Sequence, residues 1–512
     1  MKSMLPVLIV LFIACTKPET PRTIVHTDKG MVEGYKNADG NIRIFKGIPF
    51  AAPPVGDLRW KAPQPASSWE GVKKATEFGP SPIQNPPKPF YCWTEEFIAQ
   101  PDPLSEDCLY LNVWSGVQEA EEKQPVFVWI YGGGLSSGSA NCAIYDGEEM
   151  AKKGVVFVSL NYRVGALGFM AHEELSSEAD SGTSGNYGFL DQIAALEWVQ
   201  KNIDRFGGDP KNITIAGQSA GAYSVNTLIS SPLAKGLFHK AILQSGGLFN
   251  GSLQKGLEEA EQQGKSFMDL AGVTSLTELR ALPTEKILEL SKQESIGRFE
   301  VTRDGYVLPR DIHKATASGK FNQVPIMAGW VTGDGSFMGE FNQTVKEYKK
   351  EADSLYGKEA PTFLELFPVA AEEDVKKQKA KLTMLRFAGM TPHMLAGYNA
   401  KPTYVYEFAH VPPDKPNFPN YGAFHTSEVP FVLHTLHTWE RPWRPEDRDI
   451  EKMMATYWTN FAKTGDPNGL GVPLWEPYKK TAGNVLRISD ATQMQKEYVK
   501  AELDFLENHI TF

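Results

Sequence analysis

Gly217-Gln218-Ser219-Ala220-Gly221 sets one hydroxyl between two glycines, where an apolar run, Ile213 to Ala216, gives way to a stretch predicted helical over Ala220 to Ile229. A sharp strand-to-helix turn needs residues without bulk two positions either side of its apex, because neighbouring chain comes close there. Such a turn would present the Ser219 hydroxyl and aim the Ala220 amide, at a helix N-terminus, toward developing negative charge. That is the equipment for attack on a carbonyl. Tyr131-Gly132-Gly133-Gly134 closes another apolar run and offers the amides of Gly133 and Gly134 as further donors. An isolated glycine triplet reads as a flexible loop; beside a serine turn it reads as a trap for an alkoxide.

Serine alone is a poor nucleophile, so a base must lie within hydrogen-bond reach and a buried carboxylate must fix that base's tautomer. Among ten histidines, His410 and His425 are the serious candidates. His410 follows a strand-like run, whereas His425 lies in a loop rich in Gly, Pro and Asn; residue types alone leave both open. Asp334, within Gly329 to Phe337, would ordinarily be a turn aspartate before glycine. Its rank rises because Ser219, Asp334 and a later histidine follow the order nucleophile, acid, base, which resembles the α/β-hydrolase triad.

Such distant side chains need a scaffold that delivers them to one edge. Val126 to Tyr131 and Val155 to Leu160 read as strands buried on both faces, and Ala241 to Leu243, Pro325 to Ala328 and Thr403 to Phe408 continue the series. Between the second and third strands, Leu190, Ile193, Leu196, Val199 and Ile203 recur at helical spacing, and Phe206 to Pro210 halts the pattern. The expectation is an α/β fold with a central, mostly parallel twisted sheet flanked by helices. Charged, helix-prone segments, Gly256 to Gln293 and Lys346 to Leu382, would be insertions over the active-site cleft. Pro80 to Pro103 reads as a long surface loop.

The 512 residues are 41% apolar and 22% charged, a globular composition without the signature of disorder. With 52 basic and 62 acidic residues the net charge is −10, which argues against a nucleic acid partner. Met1-Lys2-Ser3 followed by the apolar run Met4 to Ala14 reads as a signal peptide over residues 1–14. Phe12-Ile13-Ala14-Cys15 resembles a bacterial lipobox, so residues 15–22 would form a lipidated tether on Cys15, the only expected membrane contact. Residues 23–512 would then be a single exported domain in the periplasm or cell envelope. Cys92, Cys108 and Cys142 would remain in an oxidising compartment, where an odd number leaves one unpaired. No H-E-x-x-H or paired C-x-x-C indicates a metal site.

Several segments independently resemble the type-B carboxylesterase family, the cholinesterase-like branch of the α/β-hydrolases. They are Lys46 to Ala51 with Pro53 to Trp60, Ser105 to Val113, Phe206 to Pro210 leading into Gly217 to Gly221, and Trp458 to Asn468. The resemblance implies a cofactor-independent ester hydrolase acting on small-molecule esters, with Ser219 as nucleophile, Asp334 as acid and His425 rather than His410 as base. It places Gly133, Gly134 and Ala220 at the oxyanion positions and makes Arg59 and Glu106 a structural ion pair. The family usually has glutamate at position 334, so the shorter aspartate requires a closer loop. Gln218 stands where cholinesterases have glutamate, which disfavours choline esters. The usual partner of Cys108 is missing, leaving Cys92 as a substitute. Leu135 and Phe337 are candidates for the pocket border, or for the core. A thioesterase, amidase or lipase would use the same triad, and a binding module that has lost catalysis is the alternative from outside the enzymes.

Overall fold

A computed structural model describes residues 23–101, 103–117, 122–249, 254–339, 341–415 and 418–510. The signal peptide and the Cys15 tether expected from the sequence fall outside the described residues. The central sheet has eleven strands, numbered here in chain order: β1 Tyr35–Lys36, β2 Arg43–Pro49, β3 Tyr110–Ser115, β4 Gln124–Ile130, β5 Val156–Leu160, β6 Gly208–Gln218, β7 Lys240–Gln244, β8 Ile326–Val331, β9 Thr403–Phe408, β10 Val485–Ile488 and β11 Gln493–Gln495. Their spatial order is β11-β10-β9-β8-β7-β6-β4-β5-β3-β2-β1. Pairing is parallel through the middle block from β10 to β5. It is antiparallel at both ends, where β11 meets β10 and where β3, β2 and β1 extend beyond β5.

The parallel strands are apolar on both faces because helices cover both. Every residue of β5, β7, β8 and β9 is buried. Helix α1, Tyr187–Asn202, covers the position its periodicity predicts, and α2, Ala220–Ser230, is buried along its whole length. The chain runs from β4 outward to β5, then returns to the other side of β4 as β6. At such a reversal of strand order, the loops leaving the carboxyl ends diverge and open a crevice. Gly132 to Gly134 leave the end of β4, and Ser219 leaves the end of β6.

The inserted helices include α3 Leu257–Ala271, α4 Val345–Tyr356 and α5 Glu372–Met384. Of these, α3 and α5 reach the crevice through what they carry. Gln263 of α3 donates to the carbonyls of Ile296 and Arg298 at 2.8 and 2.9 Å, holding that segment in place. The π-helical segment Leu385–Gly389 that follows α5 delivers Phe387 to the His425 ring. The stretch Pro80 to Pro103, expected as a long surface loop, is exposed over Lys88 to Tyr91, and residues between Gln84 and Ala99 also line the crevice. It folds over the crevice, burying Cys92 and Phe97, and the Trp93 indole donates to Thr426 Oγ1 at 3.1 Å. Trp93 and Phe97 find apolar surface there, while Phe90 and Tyr91 stay exposed at the rim. Among the described residues no helix is long and apolar enough to cross a membrane.

Candidate active site

Ser219 occupies φ 58° and ψ −123°, a sparsely populated region for a residue with a side chain. The turn is held by Ser219 N donating to Gln244 O at 2.9 Å and by Tyr223 N donating to Ser219 O at 3.0 Å. The flanking glycines are obligatory. A Cβ on Gly221 would lie 2.1 Å from the Ile130 carbonyl, and one on Gly217 would lie 2.5 Å from the Gly221 backbone. Close approach of β4 to the turn is what sets the glycine triplet beside Ser219. Among the described residues the amides of Gly133 and Gly134 donate to no protein acceptor, while the Gly133 carbonyl is tied down by Ser136 N and Ser137 N at 3.1 Å each.

Asp334 is fully buried just past β8. Its Oδ2 accepts from Val331 N at 3.0 Å, and its Oδ1 lies 2.6 Å from His425 Nδ1. An aspartate reaches the imidazole because the two loops close on each other: Gly333 N donates to Ala423 O at 2.9 Å, and a Cβ on Gly333 would lie 2.4 Å from that oxygen. The imidazole is 3% exposed, stacks on Phe337 with ring centroids 4.4 Å apart, and meets the edges of Phe387 and Trp93. Its Nε2 lies 3.1 Å from Nε2 of Gln218, whose Oε1 accepts from Thr426 Oγ1 at 3.4 Å. The Asp334 carboxylate beside Nδ1 can only accept, which puts the ring proton on Nδ1 and leaves the lone pair on Nε2. That is the tautomer a general base needs.

His410 has Asp490 at 2.6 Å from Nδ1 and Asp447 at 2.7 Å from Nε2, so both of its ring nitrogens face carboxylates, and it does not line the cavity that Ser219 and His425 line. Ser219 and His425 line one cavity of ≈ 690 Å³, within the size range of small-molecule sites. Phe337 borders it. Leu135 does not; it is buried in the core with φ 60°.

The expected ion pair forms: Arg59 Nε and Nη2 approach Glu106 at 2.8 and 2.5 Å, and Arg59 Nη1 donates to the carbonyls of Arg280 and Leu282. The pairing of Cys92 with Cys108 does not. Both are free buried thiols, as is Cys142. Cys92 sits beside Tyr421 and Trp439, whereas Cys108 lies against the Arg163–Asp191 pair, so they occupy different environments. Burial pushes the Cys92 and Cys142 thiols up to about 12.

His393 faces Asp504 and Glu507 at 3.3 and 3.2 Å, the ligand types of a metal site. Lys500 and Lys480 already pair with those carboxylates, which makes the cluster a clasp on the C-terminal helix Lys500–Asn508. Sequence reasoning missed three neighbours of the site. The Gln218 contact had a signal, its place beside the serine. Glu428 follows His425 closely; burial, and next the charge of Asp334, push its carboxyl up to about 8. Arg298 lies in an unpatterned stretch and gave no signal.

A mixed sheet with this strand order, a strained serine after β6 and a His–Asp pair beyond β8 and β9 define the α/β-hydrolase fold. Residues 21–506 match the model of the carboxylesterase family. The chain is 36% identical over 472 residues to the fumonisin B1 esterase of Sphingopyxis macrogoltabida, covering 88% of this chain and 83% of that one. It is 34% identical to liver carboxylesterase 1F of Rattus norvegicus, covering 95% of this chain and 93% of the relative. A solved PNB esterase superposes with a TM-score of 0.81 at 30% identity, covering 96% of this chain and all of that one. The chain belongs to the carboxylesterase family, and it is a carboxylic ester hydrolase.

Proposed function

We propose that Ser219 attacks the ester carbonyl while His425 takes its proton, that Asp334 holds the imidazole in the required tautomer, and that Gly133, Gly134 and Ala220 bind the oxyanion through their amides. The bond to the alcohol breaks as His425 returns the proton to the leaving oxygen, leaving an acyl-enzyme. Water, deprotonated by the same imidazole, then releases the acid and restores Ser219. Every step uses the chain's own groups.

The observation carrying this reading is the 2.6 Å contact of the buried Asp334 with His425, which lines the same cavity as the strained Ser219. A turnover panel of short, long and aromatic esters, with wild type and Ser219→Ala in parallel, tests it. Loss of roughly 10⁴- to 10⁶-fold in turnover is expected for the variant; retained activity contradicts it. We propose also that residues 23–512 form one domain, which the single buried core supports, and that the chain is exported and anchored through Cys15.

A further inference from the structure

The cavity carries fixed charge of one sign. The chain has 62 acidic against 52 basic residues, yet Lys88 and Arg298 are the fixed charges among the described residues lining the cavity, and no aspartate or glutamate lines it. The residue preceding Ser219 is a neutral amide. Phe90, Tyr91 and Trp93 supply an aromatic side to the same space.

Arg298 is exposed at the edge of the cavity and anchored there. Its backbone carbonyl is held by Gln263, and its Nη2 donates to the Gly134 carbonyl at 2.6 Å. A guanidinium has five N–H donors in a planar fork that matches a carboxylate. One is used on Gly134, and no carboxylate among the described residues pairs with the group. Gly134 is also a proposed oxyanion donor, so the cation stands one residue from the reacting carbonyl. Lys88 is exposed and adds to the same field.

We propose that the esters hydrolysed best by this enzyme carry a carboxylate near the scissile bond, received by Arg298 with Lys88 assisting, while their apolar portion packs on the aromatic side. This rests on the esterase reading above and narrows its substrate class. The carboxylate belongs to either the acyl or the alcohol part, and matched esters separate the two.

The experiment measures kcat/KM, corrected for uncatalysed hydrolysis, for two pairs. p-Nitrophenyl glutarate monoester against p-nitrophenyl valerate tests the acyl side; 4-acetoxybenzoate against its methyl ester tests the alcohol side. At low salt the anionic member of at least one pair is expected to be preferred about tenfold. High salt shrinks that preference, and Arg298→Gln abolishes it while Lys88→Gln reduces it. Because Arg298 also steadies Gly134, Arg298→Gln slows all esters, so the anionic-to-neutral ratio is the readout. No anionic preference in either pair, or a ratio unchanged in Arg298→Gln, overturns the inference while hydrolysis of the neutral members leaves the esterase reading intact. Folded wild type that hydrolyses none of the four overturns both.

Discussion

The side-chain amide of Gln218 lies 3.1 Å from Nε2 of His425, the nitrogen that is to receive the proton of the adjacent Ser219. A carboxylate at the same place would favour the imidazolium. In Gln218→Glu the base is therefore expected to need higher pH to become competent, and the acid limb of the kcat/KM profile should move up by about one unit. A steady-state pH profile on a neutral ester checks this. An unmoved limb would mean that the amide does not face the working nitrogen.

The aspartate reaches His425 only because Gly333 and Ala423 bring their loops into backbone contact. Gly333→Ala, whose Cβ would meet the Ala423 carbonyl at 2.4 Å, should push the loops apart and lengthen the Asp334–His425 contact. Turnover is expected to fall by about a hundredfold or more, with KM changed little, since misplacement by about 1 Å has effects of that size. Asp334→Asn, which leaves the loops in place but removes the tautomer lock, should slow turnover by about 10⁴-fold. Parallel kinetics on the two variants checks the assignment.

Glu428 is fully buried near Asp334 and Gln244, its carboxyl pushed up to about 8 by burial first and the Asp334 charge next. The unfolded chain would ionise it in the ordinary carboxylate range, near about 4.3. Between those values the folded state binds the extra proton, so this group's contribution to stability is complete below the lower value and is lost as pH rises toward 8. Glu428→Gln should flatten stability against pH in that window and raise it at about pH 8 by about 2–5 kcal/mol. Denaturant unfolding at about pH 5 and about pH 8 gives the comparison, and an equal dependence on pH in both proteins would contradict it.

Arg59 and Glu106 form a buried bidentate pair whose arginine also serves two carbonyls of the segment after Leu279. Arg59→Ala strands a buried carboxylate and frees that segment. A loss of about 3–5 kcal/mol in unfolding free energy is expected, with turnover per folded molecule little altered because the pair lies outside the catalytic cavity. Unfolding curves together with active-site titration separate the two effects.

The parts of the site readable from sequence are those whose chemistry and backbone demands coincide in a few consecutive residues. Gly217 to Gly221 is one, since the turn that exposes Ser219 must also admit β4. Asp334 was legible through its place after a strand and its position in chain order between Ser219 and the later histidines. His425 and His410 could not be separated by residue type, because what distinguishes them is a pair of carboxylates, Asp447 and Asp490, contributed from far along the chain. Arg298, and the stretch from Gln84 to Ala99 that covers the cavity, carry no local pattern. Their roles arise from where folding sets them. The antiparallel ends of the sheet were also missed, since β1, β2 and β11 are short or interrupted and β1 to β3 precede the apolar runs that dominate the pattern.

Covalent labelling bears most directly on whether Ser219 is an activated nucleophile. Folded wild type is treated with a fluorophosphonate, and the modified peptide is mapped by mass spectrometry beside Ser219→Ala and His425→Ala. The expected result is one adduct per molecule on Ser219, absent in the first variant and formed far more slowly in the second. Folded wild type that takes no adduct at Ser219, or labels equally fast without His425, would contradict the mechanism.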